Sequence, residues 1–255
     1  MSRTSGALLV EKDGPVRIVT MNRPDQRNAV NEELHLALAQ VWSEIASDAD
    51  ARVVVLTGAG KAFSAGGDME LILKTAEDEE YRYDSMYHAR RIVTEMMAFP
   101  LPVIAAVNGP AVGLGCSVAF LSDLVFASER AFFADPHVSI GLVAADGGAL
   151  CWPLLTSLIH AKEFLYTGDK ITAEHAEQLG MANRVVAPDD LMPQALEMAR
   201  RLADQPQRAL RDTKRAINIH LSRAVNPVLD FAFSAESETF SSEAFREGIR
   251  ARVSQ

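Results

Sequence analysis

The chain has little cysteine. Cys116 and Cys151 are its only two cysteines in 255 residues, too few for a disulfide framework, and a chain of this length can bury a core without covalent cross-links. We therefore expect reduced thiols and a cytoplasmic location. The first residues also lack a basic segment followed by an apolar one, so no secretory signal peptide is expected.

Long hydrophobic runs and an excess of positive charge are missing too. The most apolar stretch, residues 102–121, is interrupted by Asn108, Gly109 and Pro110, so we expect no membrane span. Lys and Arg number 25 against 34 Asp and Glu, which gives a formal net charge of −9. Because binding to a phosphate backbone depends on basic surface, no nucleic-acid partner is expected. The 48% of hydrophobic and 23% of charged residues are typical of a globular protein and argue against a disordered chain.

Several well-known catalytic and cofactor motifs are also absent from the sequence. It has no complete phosphate-binding loop of the form GxxxxGK[ST], no GxGxxG dinucleotide fingerprint and no GxSxG nucleophile elbow. Its six histidines form neither an HExxH motif nor a Cys/His cluster, so no metal site is expected. These absences argue against a dinucleotide-dependent or zinc-dependent activity.

Short β-branched runs alternate with helical spacing along most of the chain. Strands are predicted at residues 7–10, 16–21, 52–57, 103–107, 124–127, 131–134 and 183–187. The first two form a hairpin, and Asn31 is suited to cap the helix that follows. From residue 189 onward only helices are predicted, at residues 191–202, 209–220 and 225–239. Alternating strands and helices favour parallel βαβ units, so we predict an α/β core over residues 1–200 and a C-terminal helical region over residues 201–255.

Two glycine-rich junctions stand where a predicted strand gives way to a helix. One is Val53–Gly58 followed by Lys-Ala-Phe-Ser-Ala-Gly-Gly-Asp-Met at residues 61–69, and the other covers residues 102–117. Free backbone N–H groups collect at such junctions, and small side chains let a ligand approach. Two junctions side by side would direct two N–H donors at one oxygen, which is the arrangement of an oxyanion hole. The alternative is that the glycines only form tight turns.

The segments around these junctions resemble the enoyl-CoA hydratase/isomerase (crotonase) family, and the resemblance covers nearly the whole chain. The matching segments are Asn22-Arg23-Pro24, Asn28-Ala29, Ala62-Phe63-x-Ala65-Gly66-x-Asp68, Ile104-Ala105-Ala106-Val107-Asn108-Gly109, Tyr166-Thr167-Gly168 and residues 173–186. Taken together these motifs are specific. The resemblance implies a crotonase-like spiral of ββα units with a C-terminal helical oligomerisation region, assembled into a homotrimer or a hexamer.

The family's substrates are mostly acyl-CoA thioesters, so CoA would be part of the substrate and no cofactor. The resemblance implies that the backbone N–H groups of Gly67 and Leu114 bind the thioester oxygen and stabilise an enolate. The family usually has glycine where Leu114 stands. Leucine keeps the N–H, but we expect its side chain to restrict the backbone or to crowd the acyl pocket.

The same resemblance places a group of residues at the substrate. It implies substrate contacts from Arg27, Ala29, Ala65, Gly66, Asp68, Met69 and Ser117. Arg27, together with Arg23 and Lys61, is a candidate for the adenine and phosphate end of CoA. The alternative for each of these three residues is a solvated surface cation.

Both glutamates that carry the chemistry in hydratases of the family are missing. Ser117 and His137 stand at the corresponding positions. Serine alone is neither acid nor base, whereas an imidazole with a pKa of about 6.5 suits proton transfer near neutrality. We therefore predict that His137 and Asp146 form the proton-transfer pair. The alternatives are a histidine satisfied by backbone groups and an aspartate that caps a helix starting near residue 146.

The segment around His137 and Asp146 also resembles 6-oxocamphor hydrolase, a crotonase relative that cleaves a C–C bond of a β-diketone. That resemblance implies His137 as base and Asp146 as its orienting carboxylate or a proton carrier. Three hypotheses follow. The first is an enoyl-CoA hydratase/isomerase-like enzyme that acts on an acyl-CoA through an enolate. The second is a β-diketone hydrolase that uses the same pair. The third, suggested by the missing glutamates, is a non-catalytic acyl-CoA-binding protein.

Overall fold

The computed structural model describes residues 6–253. Its strands are β1 Leu8–Asp13, β2 Val16–Met21, β3 Val53–Gly58, β4 Val103–Val107, β5 Ala111–Val112, β6 Leu124–Ser128, β7 Phe132–Ala134, β8 Ile171–Thr172 and β9 Arg184–Val186. Its helices are α1 Glu32–Ala46, α2 Met69–Glu77, α3 Glu79–Ala98, α4 Leu114–Phe120, α5 Gly148–Leu155, α6 Leu158–Thr167, α7 Ala173–Gln178, α8 Leu191–Ala203, α9 Gln207–Thr239 and α10 Glu243–Val253. Strands and helices alternate first and helices alone follow, as predicted.

Six strands form the main sheet, in the order β1-β2-β3-β4-β6-β9. β1 and β2 pair antiparallel as the predicted hairpin, and the remaining neighbours are parallel. A smaller sheet has the order β5-β7-β8. Parallel strands need crossover connections, which places helices against the sheet. The predicted α/β class with a C-terminal helical region is therefore confirmed.

The core lies on both faces of the main sheet, as β3 illustrates. All six residues of Val53–Gly58 are buried, and successive side chains of a strand point to opposite faces. Leu56 belongs to the larger apolar cluster, with Trp42 of α1. Val55 belongs to a second cluster on the other face, with Ala195 of α8. The continuous β-branched run is thus explained by burial on both sides.

Capping residues fix where two helices near the first junction begin. The Asn31 side chain accepts a hydrogen bond from Leu34 N at 3.0 Å, so the predicted cap of α1 is confirmed. Asp68 caps α2 in the same way, accepting from Glu70 N at 3.1 Å. Each cap therefore fixes the first turn of its helix, α1 before β3 and α2 after it.

The C-terminal region differs from the prediction. The helices expected at residues 209–220 and 225–239 form one helix, α9, of 33 residues, which continues through Pro227, and α10 was not expected. Proline removes one backbone hydrogen bond from a helix, but α9 packs against α3 and α5. Lys214 Nζ also donates to Leu101 O at 2.8 Å. Packing against the core thus outweighs the local break. The domain boundary at residue 200 stays a prediction.

No helix within residues 6–253 combines the length and the apolarity needed to cross a membrane.

Candidate active site

A cavity of about 430 Å³ lies at the two glycine-rich junctions. Its walls come from the segment between β3 and α2, the start of α4, the loop after β7, and the helices α1, α2, α3, α9 and α10. In parallel α/β sheets, the loops at the carboxyl ends of the strands are the usual place for a ligand. Both junctions contribute to one candidate site.

The first junction leaves one amide unused. Val30 N donates to Gly66 O at 2.7 Å, and Asp68 N donates to Val30 O at 2.9 Å. These bonds hold the chain on either side of Gly67. Gly67 N itself donates to no acceptor within residues 6–253. Because Gly67 lines the cavity, its N–H is available to a ligand.

The second junction provides another unused amide. Gly113 N donates to Ala134 O at 3.0 Å, and Gly113 has φ +51° and ψ −125°, a conformation that favours glycine. Leu114 is the first residue of α4, so its N–H has no acceptor inside the helix, and it has none in the rest of the described chain. The two junctions are in contact, since a Cβ on Gly66 would lie 2.8 Å from Val112 O.

Leucine at position 114 does not strain the backbone. Leu114 is absent from the residues with positive φ, so the expected restriction of the backbone is not observed, and the residue that requires glycine is Gly113. The side chain of Leu114 is buried in the main core and lines the cavity. The amide is therefore kept, and the leucine side chain narrows the pocket.

His137 lies just after β7 and is held by Asp135. The Nδ1 atom of the imidazole forms a hydrogen bond with Asp135 Oδ1, and His137 N donates to the same oxygen at 3.3 Å. A carboxylate at Nδ1 favours the tautomer with its proton there, so Nε2 is the acceptor on the other side of the ring. The partner of the imidazole is thus a carboxylate and not a backbone group.

Asp135, to which sequence reasoning gave no role, is buried with 1% of its surface exposed. Its Oδ2 atom has no hydrogen-bond partner among the described residues. A Cβ on Gly148, the first residue of α5, would lie 2.1 Å from this oxygen. The positive end of a helix dipole stabilises a carboxylate. Glycine at position 148 therefore permits Asp135 to lie against the start of α5.

Two further carboxyl groups lie near Nε2 of the imidazole. The Oδ2 atom of Asp146 is 3.7 Å from Nε2, and the Oε1 atom of Glu236 is 3.8 Å from it. Asp146 also accepts a hydrogen bond from Ser117 Oγ at 2.9 Å. The helix expected from residue 146 begins at Gly148 with Gly147 as its N-cap, so the capping alternative for Asp146 is wrong.

Glu236 is the residue of this cluster that sequence reasoning missed entirely. It is 3% exposed, and its Oε2 atom has no hydrogen-bond partner in the described part of the chain. A signal was present in the sequence. Glu236 continues the helical spacing of Val225, Leu229, Ala232 and Phe233, which are all buried. A charged residue on an apolar helix face is rare without a partner or a function.

The cluster has strongly shifted pKa values. Burial by itself lowers the pKa of His137, but the charges of Asp135 and Asp146 outweigh burial and raise that pKa well above its usual value. Burial raises the pKa of Asp146. Burial also raises the pKa of Glu236, to about 8, although His137 opposes the shift. At neutral pH these shifts favour a protonated Glu236 carboxyl and a protonated His137 ring, and the ring can act as a base once Nε2 has passed its proton to a neighbouring carboxylate such as that of Asp146.

Asp135, His137 and Asp146 are the one group within residues 6–253 whose ligand atoms lie close enough to hold a metal ion, within 4.8 Å of one another. The two carboxylates face opposite nitrogens of the imidazole. A carboxylate at each ring nitrogen is an arrangement that suits proton transfer.

The predicted substrate-contact residues lie in three places. The residues that line the cavity are Ala29, Ala65, Gly66, Asp68 and Met69. Ser117 does not line it and is buried below the cavity, where it donates to the cluster. Arg27 lines a separate surface cavity of about 540 Å³ together with Lys61. Arg23 forms an ion pair with Asp68 at 2.9 Å, which ties the first loop to the cap of α2.

Known proteins resemble this chain over nearly its full length. A family model described as enoyl-CoA hydratase/isomerase matches residues 11–254. The chain is 36% identical over 245 residues to YngF of Bacillus subtilis, covering 96% of this chain and 94% of YngF. It is 33% identical over 247 residues to the short-chain-enoyl-CoA hydratase of Clostridium acetobutylicum, with 96% and 94% covered. A solved structure of an enoyl-CoA hydratase/isomerase from Mycobacterium paratuberculosis has a TM-score of 0.95 and 48% identity, covering 98% of this chain and 100% of that one.

Proposed function

The chain belongs to the enoyl-CoA hydratase/isomerase family, and on this premise we propose that it acts on an acyl-CoA thioester through an enolate. In this proposal the amides of Gly67 and Leu114 bind the thioester oxygen, and His137, Asp146 and Glu236 move protons. One observation carries the proposal. Two amides that have no acceptor among the described residues and an acid–base cluster line the same cavity.

The amide pair acts on the charge of the reacting oxygen. When a nucleophile adds to the β-carbon of an enoyl thioester, negative charge develops on the thioester oxygen. Donors that are already in place there stabilise the transition state more than the ground state, by about 3 kcal/mol for one donor. The donors of Gly67 and Leu114 are main-chain groups at structured junctions, so they need little rearrangement to do this.

Hydration also needs a base for water and an acid for the α-carbon. With His137 in its neutral form, Nε2 takes a proton from water as the water oxygen bonds to the β-carbon, and the electron pair of the C=C bond moves into the enolate. Protonated Glu236 then delivers its proton to the α-carbon. The proton on His137 returns to Glu236, whose Oε1 is 3.8 Å from Nε2. If His137 takes a proton from the γ-carbon of the substrate and not from water, the same groups catalyse an isomerisation.

A specific observation favours a second candidate, hydrolysis of a C–C bond in a β-diketone. A histidine held by a carboxylate, as His137 is held by Asp135, is the arrangement that activates a nucleophile for attack on a carbonyl. Water would bond to one carbonyl carbon while His137 takes its proton. The C–C bond then breaks, its electron pair forms the enolate of the other carbonyl, and Glu236 protonates the carbon. The products are a carboxylic acid and a ketone.

Two further parts of the proposal concern the rest of the molecule. We place the adenine and phosphate end of CoA at the surface cavity lined by Arg27 and Lys61, which supplies two cations beside the first junction. We also propose that the protein forms a homotrimer or a hexamer. Exposed apolar side chains on α9 support this, since Phe231 is 74% and Ile217 62% exposed. Light scattering in solution tests it, and a monomer at micromolar concentration would overturn it.

The chemistry is tested with a panel of substrates in H₂¹⁸O. Wild-type protein and a His137→Ala variant are given crotonyl-CoA, a longer enoyl-CoA, and cyclic and linear β-diketones. Absorbance follows the conjugated thioester, and mass spectrometry finds the labelled oxygen. We expect wild type to remove the conjugation and add one labelled hydroxyl group, and the variant to be about 100-fold slower or more.

The other outcomes separate the hypotheses. Labelled carboxylate from a β-diketone, with enoyl-CoA unchanged, would replace the first candidate by the second. Tight binding of crotonyl-CoA without turnover of any compound would overturn both and leave a non-catalytic acyl-CoA-binding protein.

A further inference from the structure

Outside the acid–base cluster, and apart from Asp68 with its ion pair to Arg23, two polar side chains line the cavity. They are His35 of α1 and Ser85 of α3, which are 5% and 7% exposed. The neighbouring wall from α2 and α3 is apolar and includes Ile72, Met86 and Ala89. Burial of polar atoms among such residues costs free energy unless they have partners. Their presence in this wall therefore needs an explanation.

The protein itself does not supply those partners. Within residues 6–253, no hydrogen bond to the His35 ring is formed. Its pKa is shifted only by burial and by the charge of His88. Ser85 Oγ has only Thr75 Oγ1, at 3.5 Å. Thr75 already donates its own proton to Leu71 O at 2.8 Å, so the contact with Ser85 is long and weak. Both polar groups thus remain available to a molecule in the cavity.

His35 is held as a neutral group. His88 of α3 packs edge-on against it, with ring centroids 6.3 Å apart and planes at 81°. Burial, and then the charge of His88, lowers the pKa of His35 to about 4. Burial also lowers the pKa of His88. At neutral pH the His35 ring therefore offers one N–H donor and one acceptor nitrogen, without charge.

These properties select the ligand group. A carboxylate at the end of the substrate would meet no cation at His35 or Ser85, and burying its charge there would cost free energy. A plain alkyl end would bury the polar atoms of His35 and Ser85 without partners, which weakens binding. A keto or hydroxyl oxygen can accept hydrogen bonds from both.

We infer that His35 and Ser85 form an oxygen subsite, which binds a neutral keto or hydroxyl oxygen on the acyl part of the substrate. The oxygen in question is a second one, remote from the carbonyl held at Gly67 and Leu114. The inference rests on the proposed function and narrows it, because the acyl group is then not a simple hydrocarbon chain.

Binding tests the oxygen subsite without requiring turnover. Calorimetry on the full-length protein compares hexanoyl-CoA with the hexanoyl-CoA esters that carry an oxo or a hydroxyl group at carbon 4 or 5. The N-acetylcysteamine thioesters of the same acyl groups are measured in parallel, so that the result does not depend on contacts with CoA. We expect at least one oxygen-bearing ester to bind about tenfold tighter than its alkyl counterpart, and the adipoyl ester, which ends in a carboxylate, to bind more weakly.

Variants identify the side chains responsible. His35→Leu and Ser85→Ala are expected to reduce the preference for the oxygen-bearing ester to within about twofold, while alkyl binding stays the same or tightens. His35→Gln keeps a neutral donor and should retain part of the preference. His220→Leu, on an exposed part of α9, is the matched control and should leave the preference unchanged. Thermal unfolding of each variant checks that it is folded.

Each outcome decides a different claim. Equal binding of alkyl and oxygen-bearing esters by wild type, or a preference that survives His35→Leu, overturns the oxygen subsite and leaves the proposed function intact. Preferential binding of N-acetylcysteamine thioesters without binding of CoA esters supports the subsite and overturns the acyl-CoA part of the proposed function. Failure of every thioester to bind overturns both.

Discussion

The two sides of the cavity are built in different ways. On one side the groups that the proposed function uses are main-chain amides, those of Gly67 and Leu114, and the side chains matter only through the backbone that they permit. On the other side the groups are the side chains of His137, Asp146 and Glu236, which come from distant parts of the chain. A main-chain N–H is kept when the residue changes, as leucine at position 114 illustrates. The side-chain side depends on residue identity, so it decides which reaction the cavity performs.

The two sides also differ in electrostatics. On the amide side the one ionisable group in the cavity wall, Asp68, is paired with Arg23, and the amides present partial positive charge to a ligand. The side-chain side concentrates three carboxyl groups around one imidazole, and burial raises the pKa of Glu236 to about 8. A substrate between them would have its oxygen at the amides and its reacting carbons at the acid–base cluster.

The largest effect is expected from removal of the base. His137→Ala leaves the amides in place, and we expect kcat to fall by about 100-fold or more while KM changes less than about threefold. Asp146→Asn keeps the shape of the carboxyl and should cost at least about tenfold. Steady-state kinetics on the substrate found in the panel measures both. Unchanged activity in both variants would remove the side-chain side from the mechanism.

A pair of variants at one position tests the main-chain side. Leu114→Pro removes the N–H at the first residue of α4, where proline is tolerated, and kcat/KM is expected to fall by about 100-fold. Leu114→Ala keeps the amide and should stay within about fivefold of wild type. Circular dichroism checks that both variants fold. Equal losses would show that the leucine side chain matters and the amide does not.

A smaller effect is expected at Ser117, which positions Asp146. Burial raises the pKa of Asp146, and the hydrogen bond from Ser117 opposes that shift. Ser117→Ala removes this hydrogen bond, so the pKa of Asp146 rises further and Asp146 ionises at higher pH. We therefore expect the acidic limb of the kcat/KM profile to shift to higher pH and kcat at neutral pH to fall about threefold. Ser122→Ala is the control, since Ser122 Oγ donates to Val118 O at 2.9 Å outside the cavity. Identical pH profiles for the two variants would contradict the positioning role.

The smallest effect is a gain in stability. A carboxyl whose pKa rises from 4.5 in the unfolded chain to about 8 in the folded one stabilises the fold fully only below pH 4.5, and that contribution is lost as the pH rises through 8. Glu236→Gln has no proton to lose. We therefore expect its melting temperature to exceed that of wild type at pH 8.5 by about 2 °C or more, with little difference at pH 5. A lower melting temperature at pH 8.5 would mean that Glu236 is ionised and well paired in the folded protein.

The main-chain side was predictable because its signals are local. Apolar runs predicted β3 and β4, and Asn31 predicted the start of α1. The small residues at each junction predicted amides without an acceptor. A parallel sheet then brings the carboxyl ends of neighbouring strands together, so residues 67 and 114 had to be close. The expectation that leucine at position 114 restricts the backbone was wrong, because the unusual dihedral angles belong to Gly113.

The side-chain side was predictable only in part. His137 and Asp146 lie in one short segment and were identified together. Asp135 lies two residues before His137, yet nothing in the sequence shows that its carboxylate turns back to the imidazole. Glu236 was missed although it lies within the predicted helix at residues 225–239 and continues the spacing of its buried residues, because that spacing indicates burial but does not show which cavity a side chain faces.

By itself the amino-acid sequence determined the alternation of strands and helices, the two glycine junctions and the family to which the chain belongs. Those features follow from periodicity, backbone preferences and short motifs, which act between neighbouring residues. Only the tertiary structure decided that Asp135 and Glu236 join His137, that Ser117 supports Asp146, and that His35 and Ser85 face the same cavity. The physical reason is that contact between distant residues, and the burial that shifts their pKa values, arise only when the chain packs.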